Sequence, residues 1–272
     1  MSGPSMSPQV FSILSALVAE RAGLHFDAAS AALFSDKVAV RAAEAGFNSL
    51  LDYYYFLRYD PAGTTELDAL VEALVVNETY LFRELAPVET LLSQIVLPLL
   101  EGGRRPRIWC AACATGEEPL TMAMLLAARG ALDKVDILAS DVSAAALERA
   151  RSGRFARRAL RQPIPEFAAR WLEVDERGIA VPPRLTNAIA WQQINLMDEA
   201  AIGALGTFDA VLCRNVLIYF NDATIRRVVD RLAARLRIGG ALLVGVSESL
   251  LRFGTSLTCE EQNGVFLYKR TV

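Results

Sequence analysis

Apolar positions in the first third of the chain recur at helical spacing. Val10, Ile13, Leu14, Leu17 and Val18 share one helix face. Residues 28–45 are alanine-rich with little β-branching, which favours helix. Another helix is expected over 48–58, carrying the aromatic cluster Tyr53, Tyr54, Tyr55 and Phe56. Asp60-Pro61-Ala62-Gly63 reads as a turn, and 67–76 as a further helix. Residues 9–85 therefore read as an N-terminal helical domain, preceded by a frayed end over 1–8. Residues 86–106 read as a connecting helix, with Pro87 near its start, and a linker ending in Gly102-Gly103-Arg104-Arg105-Pro106.

Beyond 106 the pattern changes to short apolar runs alternating with helical stretches. Strands are expected over 107–113, 135–140, 208–213, 241–246 and 264–269. Helices are expected over 117–129, 143–151 and 224–237, the second capped by Ser143 and the last ending at Gly239-Gly240. Strands separated by helices predict an α/β domain over 107–272, with a mostly parallel sheet covered on both faces. Residues 171–184 interrupt the alternation and read as a small inserted hairpin.

Composition adds bounds. The 272 residues are 53% hydrophobic and 22% charged, enough for a sizeable core. Mean hydropathy is +0.28, but the apolar runs are short or broken by charge, far below the about 20 residues that cross a bilayer. No basic start followed by an apolar run is present, so no signal peptide and a cytoplasmic location are expected. A net charge of −3 argues against general nucleic-acid binding. Charge is uneven, however: Arg149, Arg151, Arg154, Arg157, Arg158, Arg161 and Arg170 face only Glu148 and Glu166 in their stretch. That run is either a solvated face or a dock for an acidic partner. Cys110 and Cys113 form a Cys-x-x-Cys, but the single histidine, His25, lies far away, so no metal site is expected. A buried strand end fits the pair better than a redox couple.

Candidate chemistry gathers at predicted strand ends. The first strand runs into Cys110-Ala111-Ala112-Cys113-Ala114-Thr115-Gly116-Glu117-Glu118, and a helix follows at once. Ligands of doubly wound sheets sit at such carboxyl ends. Two acids at the helix start would repel a phosphate but tolerate a cation. Neither a phosphate loop nor the dinucleotide glycine fingerprint is present. Asp141 ends the second strand, where a carboxylate suits both hydroxyls of a ribose. Arg214 and Asn215 end the strand at 208–213, and Asn195 follows another strand-like stretch and suits an adenine edge. Arg83, in the polar and aromatic stretch 77–84, suits bidentate pairing with a ligand carboxylate.

These blocks resemble the CheR-type chemotaxis-receptor methyltransferases, protein-glutamate O-methyltransferases. The likeness runs from about residue 10 to about residue 270 and is carried by residues 77–83, Ala114-Thr115-Gly116-Glu117-Glu118-Pro119, Ala150-Arg151-Ser152-Gly153, residues 208–220 and Gly245-Val246-Ser247-Glu248-Ser249. It implies an all-helical domain joined to a Rossmann-like S-adenosylmethionine methyltransferase domain. It also implies cofactor contacts at Asn77, Thr79, Arg83, Glu117, Asp141, Asn195, Leu196, Arg214 and Asn215, S-adenosylhomocysteine as product, and a chemoreceptor cytoplasmic domain as substrate. Ala112 departs from the family's glycine; if φ there is positive, alanine is strained by about 1 kcal/mol or more. Leu81 and Leu120 replace aromatic residues. Residues 1–70 hold four basic and eight acidic residues, unlike the basic face of well-known members. The short insert resembles members that do not tether to a receptor's C-terminal peptide. A monomer is expected.

The chemistry expected is direct transfer of a methyl group to a carboxylate. A glutamate with pKa about 4.3 is already ionised at neutral pH, so no general base is required. Arg149, Arg151, Arg154, Arg157, Arg158 and Arg161 are the expected substrate-steering set. Competing readings are a methyltransferase for another protein or a small molecule, and a non-catalytic cofactor sensor. An NAD-linked oxidoreductase lacks its phosphate-binding glycines.

Overall fold

The computed structural model describes residues 6–272, so the expected frayed end lies partly outside the described residues. Where it is described, Ser7 caps the first helix by accepting from the Val10 amide at 3.3 Å. Helices α1 (Pro8–Ala22), α2 (Ala31–Glu44), α3 (Leu50–Tyr59) and α4 (Gly63–Leu74) form the first unit. α4 begins four residues earlier than its apolar spacing suggests, at Gly63, where a Cβ would lie 2.3 Å from the Phe56 carbonyl oxygen. α2, α3 and α4 are pinned together by one side-chain cluster. Arg41 donates twice to Glu66, and the Tyr53 hydroxyl donates to Glu66 Oε1 at 2.7 Å. Burial, with the Glu66 charge beside it, pushes the Tyr53 hydroxyl's pKa up, so it stays a donor.

The chain divides into two compact units, the first running to Val76 and taking in Tyr219–Thr224, the second comprising Asn77–Ile218 and Ile225–Val272. The boundary thus falls at Val76 rather than at 85. Residues 77–84 bond into the second unit: the Leu81 amide donates to the Ala159 carbonyl at 2.8 Å and the Phe82 amide to Thr121 Oγ1 at 3.1 Å. In the first unit, Leu24 and Phe220 form an isolated antiparallel bridge.

The second unit opens with α5 (Leu85–Leu91), a π-helical turn at Leu92–Val96 and α6 (Leu97–Glu101), the expected connecting helix. Then follow β1 (Arg107–Ala111), α7 (Glu117–Ala128), β2 (Asp136–Asp141), α8 (Ala144–Ser152), β3 (Arg154–Phe155), α9 (Glu166–Ala169), β4 (Glu173–Asp175), β5 (Gly178–Ala180), α10 (Pro183–Thr186), β6 (Ile189–Gln193), α11 (Glu199–Gly203), β7 (Phe208–Cys213), α12 (Asp222–Arg235), β8 (Leu236–Val244), β9 (Thr258–Gln262) and β10 (Val265–Lys269). The main sheet has the order β6-β2-β1-β7-β8-β10-β9. Its first five strands run parallel, β10 runs antiparallel to β8, and β9 in turn antiparallel to β10. β1 pairs with β2 on one side and β7 on the other, which makes the gap between their carboxyl ends the switch point of the topology. No helix among the described residues is long and apolar enough to cross a membrane.

Several boundaries differ from the pattern. β1 stops at Ala111 instead of 113, because Ala112 turns into the left-handed region at φ 54°. α12 ends at Arg235, and Gly239-Gly240 lie inside β8 rather than at a helix end. There the β7–β8 register shifts, and a Cβ on Gly240 would meet the Asp209 carbonyl oxygen at 2.8 Å. The edge strand β9, Thr-Cys-Glu-Glu-Gln, carries no apolar alternation and so gave no strand signal. The expected hairpin is β4–β5, and β3 joins it in a separate three-stranded sheet of order β3-β5-β4. The small subdomain therefore reaches back to Arg154.

The main core packs on both faces of the sheet. Trp109 is fully buried, and its indole N–H donates to Ser140 Oγ at 2.9 Å. Asp209, buried at the amino ends of the strands, accepts from the Arg107 amide at 2.8 Å and from Arg237 at 2.6 Å.

Candidate cofactor site

The loop after β1 is built on left-handed backbone: Ala112 at φ 54°, Ala114 at 47° and Gly116 at 92°. Two are alanines, which carry a cost of about 1–2 kcal/mol each in this region. Only glycine fits at 116, since a Cβ would come within 2.6 Å of Ala150 Cβ and 2.9 Å of the Trp191 ring. Two hydrogen bonds to β2 hold the loop. The Cys113 amide donates to the Ser140 carbonyl at 2.9 Å, and the Ala114 amide to Asp141 Oδ2 at 2.8 Å. Asp141 Oδ1 accepts from the Ser143 amide at 2.9 Å, so the carboxylate is fixed in place at the end of β2. Ser143 itself caps α8, accepting from the Ala146 amide at 2.9 Å.

Glu117 and Glu118 start α7 with opposite surroundings. Glu117 is 4% exposed, accepts from Thr115 Oγ1 at 2.7 Å, and has its pKa raised by burial. Glu118 pairs with Arg214 at 2.9 Å, and Glu84 meets the same guanidinium at 2.8 Å. Arg214 also donates to the Arg83 carbonyl at 3.0 Å. Its two terminal nitrogens are thus committed to protein, while its Nε is buried without a hydrogen-bond partner, as is the Trp171 indole nitrogen among the described residues. Burial works against the Arg214 charge, but the two carboxylates outweigh it and hold it protonated. Asn215 follows at φ 59°, its amide held by Glu248 Oε2 at 2.7 Å.

Asn195 is linked to Asp141 through the chain, since the Ile194 amide donates to the Asp141 carbonyl at 2.9 Å. Its side chain accepts from the Met197 amide at 2.8 Å, which is a turn role. Leu196 is buried, and its carbonyl accepts from Arg231 at 2.9 Å. Arg83 donates to the Glu78 carbonyl at 3.0 Å and lies 5.5 Å from the Tyr80 ring centroid, where Arg161 also sits at 4.6 Å. Asn77 is exposed and Thr79 half-buried; among the described residues no hydrogen bond ties either to the strand ends. The structure therefore links Arg83, Arg214, Asn215, Glu117, Asp141, Asn195 and Leu196 to one sheet edge more firmly than it does Asn77 and Thr79.

Of the steering set, all six arginines are exposed. Arg161 pairs with Glu78, and Arg151 donates to the Trp191 carbonyl at 3.1 Å, so these two are partly committed. Cys110 and Cys113 are free and buried, and burial pushes both thiols well up, which leaves them unreactive. Glu84 was not foreseen as a site residue, and Glu118 was foreseen only as one of two acids at the helix start. Glu248 was visible only as part of the block Gly245-Val246-Ser247-Glu248-Ser249.

Parallel strands ending in a left-handed loop, a fixed carboxylate after β2 and acids at a helix start define a nucleoside-cofactor site that does not favour phosphate. The orphaned Arg214 Nε fits a bound ligand here. The family model "CheR methyltransferase, SAM binding domain" matches residues 77–265, and "CheR methyltransferase, all-alpha domain" matches 9–75. The chain is 30% identical to Chemotaxis protein methyltransferase 2 of Vibrio cholerae over 87% of its length and 84% of that protein's. It is 34% identical to Chemotaxis protein methyltransferase 1 of Pseudomonas aeruginosa over 76% of its length and 78% of that protein's. It is 33% identical to the Probable biofilm formation methyltransferase WspC of the same species over 86% of its length and 56% of that protein's. The chain belongs to the CheR family of S-adenosylmethionine-dependent methyltransferases.

Proposed function

We propose that this protein methylates glutamate side-chain carboxylates on the cytoplasmic domain of a chemoreceptor. One observation carries the reading: the two family models tile the chain in order, a helical unit then a cofactor unit, and relatives aligned over most of the chain carry chemotaxis names.

S-adenosylmethionine supplies an electrophilic methyl group on a sulfonium. The chain's residues supply placement. Asp141, held by two backbone amides, accepts from ribose hydroxyls. Asn195 and Leu196 would hold the adenine edge, with Asn215 and the free Nε of Arg214 as further contacts. Arg83 would take the carboxylate of the methionine moiety, with Asn77 and Thr79 contributing to the same contact. Glu117 would face the cationic portion, whose charge would favour the ionised carboxylate that burial disfavours. The substrate carboxylate is already ionised, so alignment rather than proton removal is the catalytic task. Opposite charges neutralise as the methyl moves, so a strongly polar pocket would favour reactants over transition state.

Arg149, Arg154, Arg157 and Arg158 steer the acidic substrate to the site. The β4–β5 hairpin is short, which supports action without a tethering peptide. The resemblance to WspC favours a second reading, in which the same chemistry serves a biofilm-related signalling protein.

The test is incubation with labelled S-adenosylmethionine and receptor-containing membranes. Label in a receptor-sized band, released by mild base as methanol, supports a glutamyl ester. No label from a preparation that binds S-adenosylhomocysteine overturns the reading.

A further inference from the structure

Glu248 lies just beyond β8, outside the residues expected to hold the cofactor. It is 7% exposed. Its carboxylate accepts three backbone N–H groups: Asn215 and Gly245 on Oε2, each at 2.7 Å, and Ile218 on Oε1 at 3.3 Å. Two of these belong to the turn after β7 and one to the end of β8. One side chain therefore clamps two neighbouring strand-end loops. Bonds from amides to an ionised acceptor are stronger than neutral ones.

The turn it holds needs holding. Asn215 stands at φ 59°, a region that costs free energy for any residue with a Cβ. Of the six non-glycine residues with positive φ among the described residues, five sit in the loops at this end of the sheet: Phe82, Glu84, Ala112, Ala114 and Asn215. Strain of this kind persists only where the surroundings fix it, and it gathers at functional sites. Space is equally tight. A Cβ on Gly245 would come within 2.7 Å of Asn215 Nδ2, 2.8 Å of Glu248 Oε2 and 3.0 Å of the Asn215 amide nitrogen. On the far side of the same pair, Arg214 is gripped by Glu84 and Glu118. Three acids thus fix two consecutive residues.

We propose that Glu248 is a positioning residue for cofactor binding: its carboxylate holds Asn215 in its left-handed turn and so sets Arg214 and Asn215 against S-adenosylmethionine. The inference rests on those two residues contacting the cofactor.

Titration calorimetry with S-adenosylhomocysteine, paired with thermal melts, tests it on the full chain. Wild-type binding checks the cofactor site by itself, with no receptor involved. Glu248→Gln keeps the shape but turns an NH2 group toward a backbone N–H. It should weaken binding about tenfold, the scale of one buried donor left unsatisfied. Gly245→Ala keeps the carboxylate but crowds Asn215, and should weaken binding to a similar degree. The control is Asp209→Asn, an equally buried carboxylate at the opposite ends of the same strands. It should lower Tm and leave cofactor affinity unchanged, which separates positioning from general stability. Binding by both site variants within about twofold of wild type overturns the proposal. So does an equal loss of affinity in Asp209→Asn at a matched fall in Tm. If Glu248→Gln does not fold, the comparison of Gly245→Ala with Asp209→Asn decides alone.

Discussion

The guanidinium of Arg214 and the carboxylate of Glu118 meet at 2.9 Å with side-chain exposures of 2% and 14%. Glu84 shares the same guanidinium at 2.8 Å. One cation therefore serves two half-hidden acids drawn from sequence positions 130 and 96 residues away. This trio fastens the stretch before α5 and the start of α7 to the end of β7. Burial raises the Glu118 carboxyl more than Arg214 pulls it down, as expected when two acids divide one partner.

Removing that cation should be costly. Arg214→Met is expected to destabilise the second unit by about 3–5 kcal/mol, because it leaves two poorly hydrated carboxylates facing one another. Combining it with Glu118→Leu should recover part of the loss, which a double-mutant cycle in urea would measure. A single-variant cost below about 1 kcal/mol would mean the trio is solvated and unimportant.

Ala112 offers a change in the opposite direction. Its φ of 54° suits glycine, and it lies in the loop after β1 that the proposed cofactor site would include. Ala112→Gly relieves about 1–2 kcal/mol of backbone strain, offset in part by about 0.5–1 kcal/mol of added unfolded-state freedom. Tm should hold or rise slightly, and S-adenosylhomocysteine should bind more tightly. Weaker binding by a folded Ala112→Gly protein would show that the methyl group contributes contact rather than crowding.

Much of the architecture was legible from the chain, and the failures share a cause. Apolar runs between capped helices marked β1, β2, β7 and β10, and Ser143 marked the start of α8, because these signals are local. β9 and the two-residue β3 were silent, since an exposed polar edge and a strand of two residues leave no period to read. Gly239-Gly240 imitates a helix stop, yet it serves a close approach to β7 that only the paired strand reveals. The site divides the same way. Asp141 and Glu117 were readable from their places after a strand and before a helix. Arg214 was readable as a polar strand end, but its burial between Glu84 and Glu118 depends on partners distant in sequence. Glu248 was visible only as part of a family block.

Glu117 should make stability depend on pH. Burial raises its folded-state pKa above the ordinary carboxylate range. The folded protein then holds a proton that the unfolded chain has released, so this group's contribution is fully present below the unfolded pKa and is lost as pH rises through the folded one. Glu117→Gln should therefore match wild type in Tm at acidic pH and exceed it at neutral pH. If Glu117 also faces the cofactor's sulfonium, the same variant should bind S-adenosylmethionine less well at neutral pH, with little change for the uncharged-sulfur product S-adenosylhomocysteine. A more stable but weaker-binding protein is the expected outcome; equal Tm curves across the pH range would contradict the burial argument.

The basic surface beside the small sheet makes a kinetic prediction. Arg149, Arg154, Arg157 and Arg158 are exposed, whereas Arg161 pairs with Glu78 and Arg151 bonds to the Trp191 carbonyl. A steering role therefore falls on the first four. Exposed charges act over about 10 Å at 0.1 M salt and about 3 Å at 1 M. Reversing the four to glutamate should lower kcat/KM for receptor methylation severalfold at low salt, with kcat little changed. The gap from wild type should narrow as salt rises, while cofactor affinity stays constant because none of the four reaches the strand ends. Reversing Arg161 should instead disturb Glu78 and the Tyr80 ring, and weaken cofactor binding at every salt concentration. A four-residue variant whose deficit persists unchanged at high salt would place these arginines in direct contact with substrate, and parallel salt profiles with no deficit would remove them from the reaction altogether.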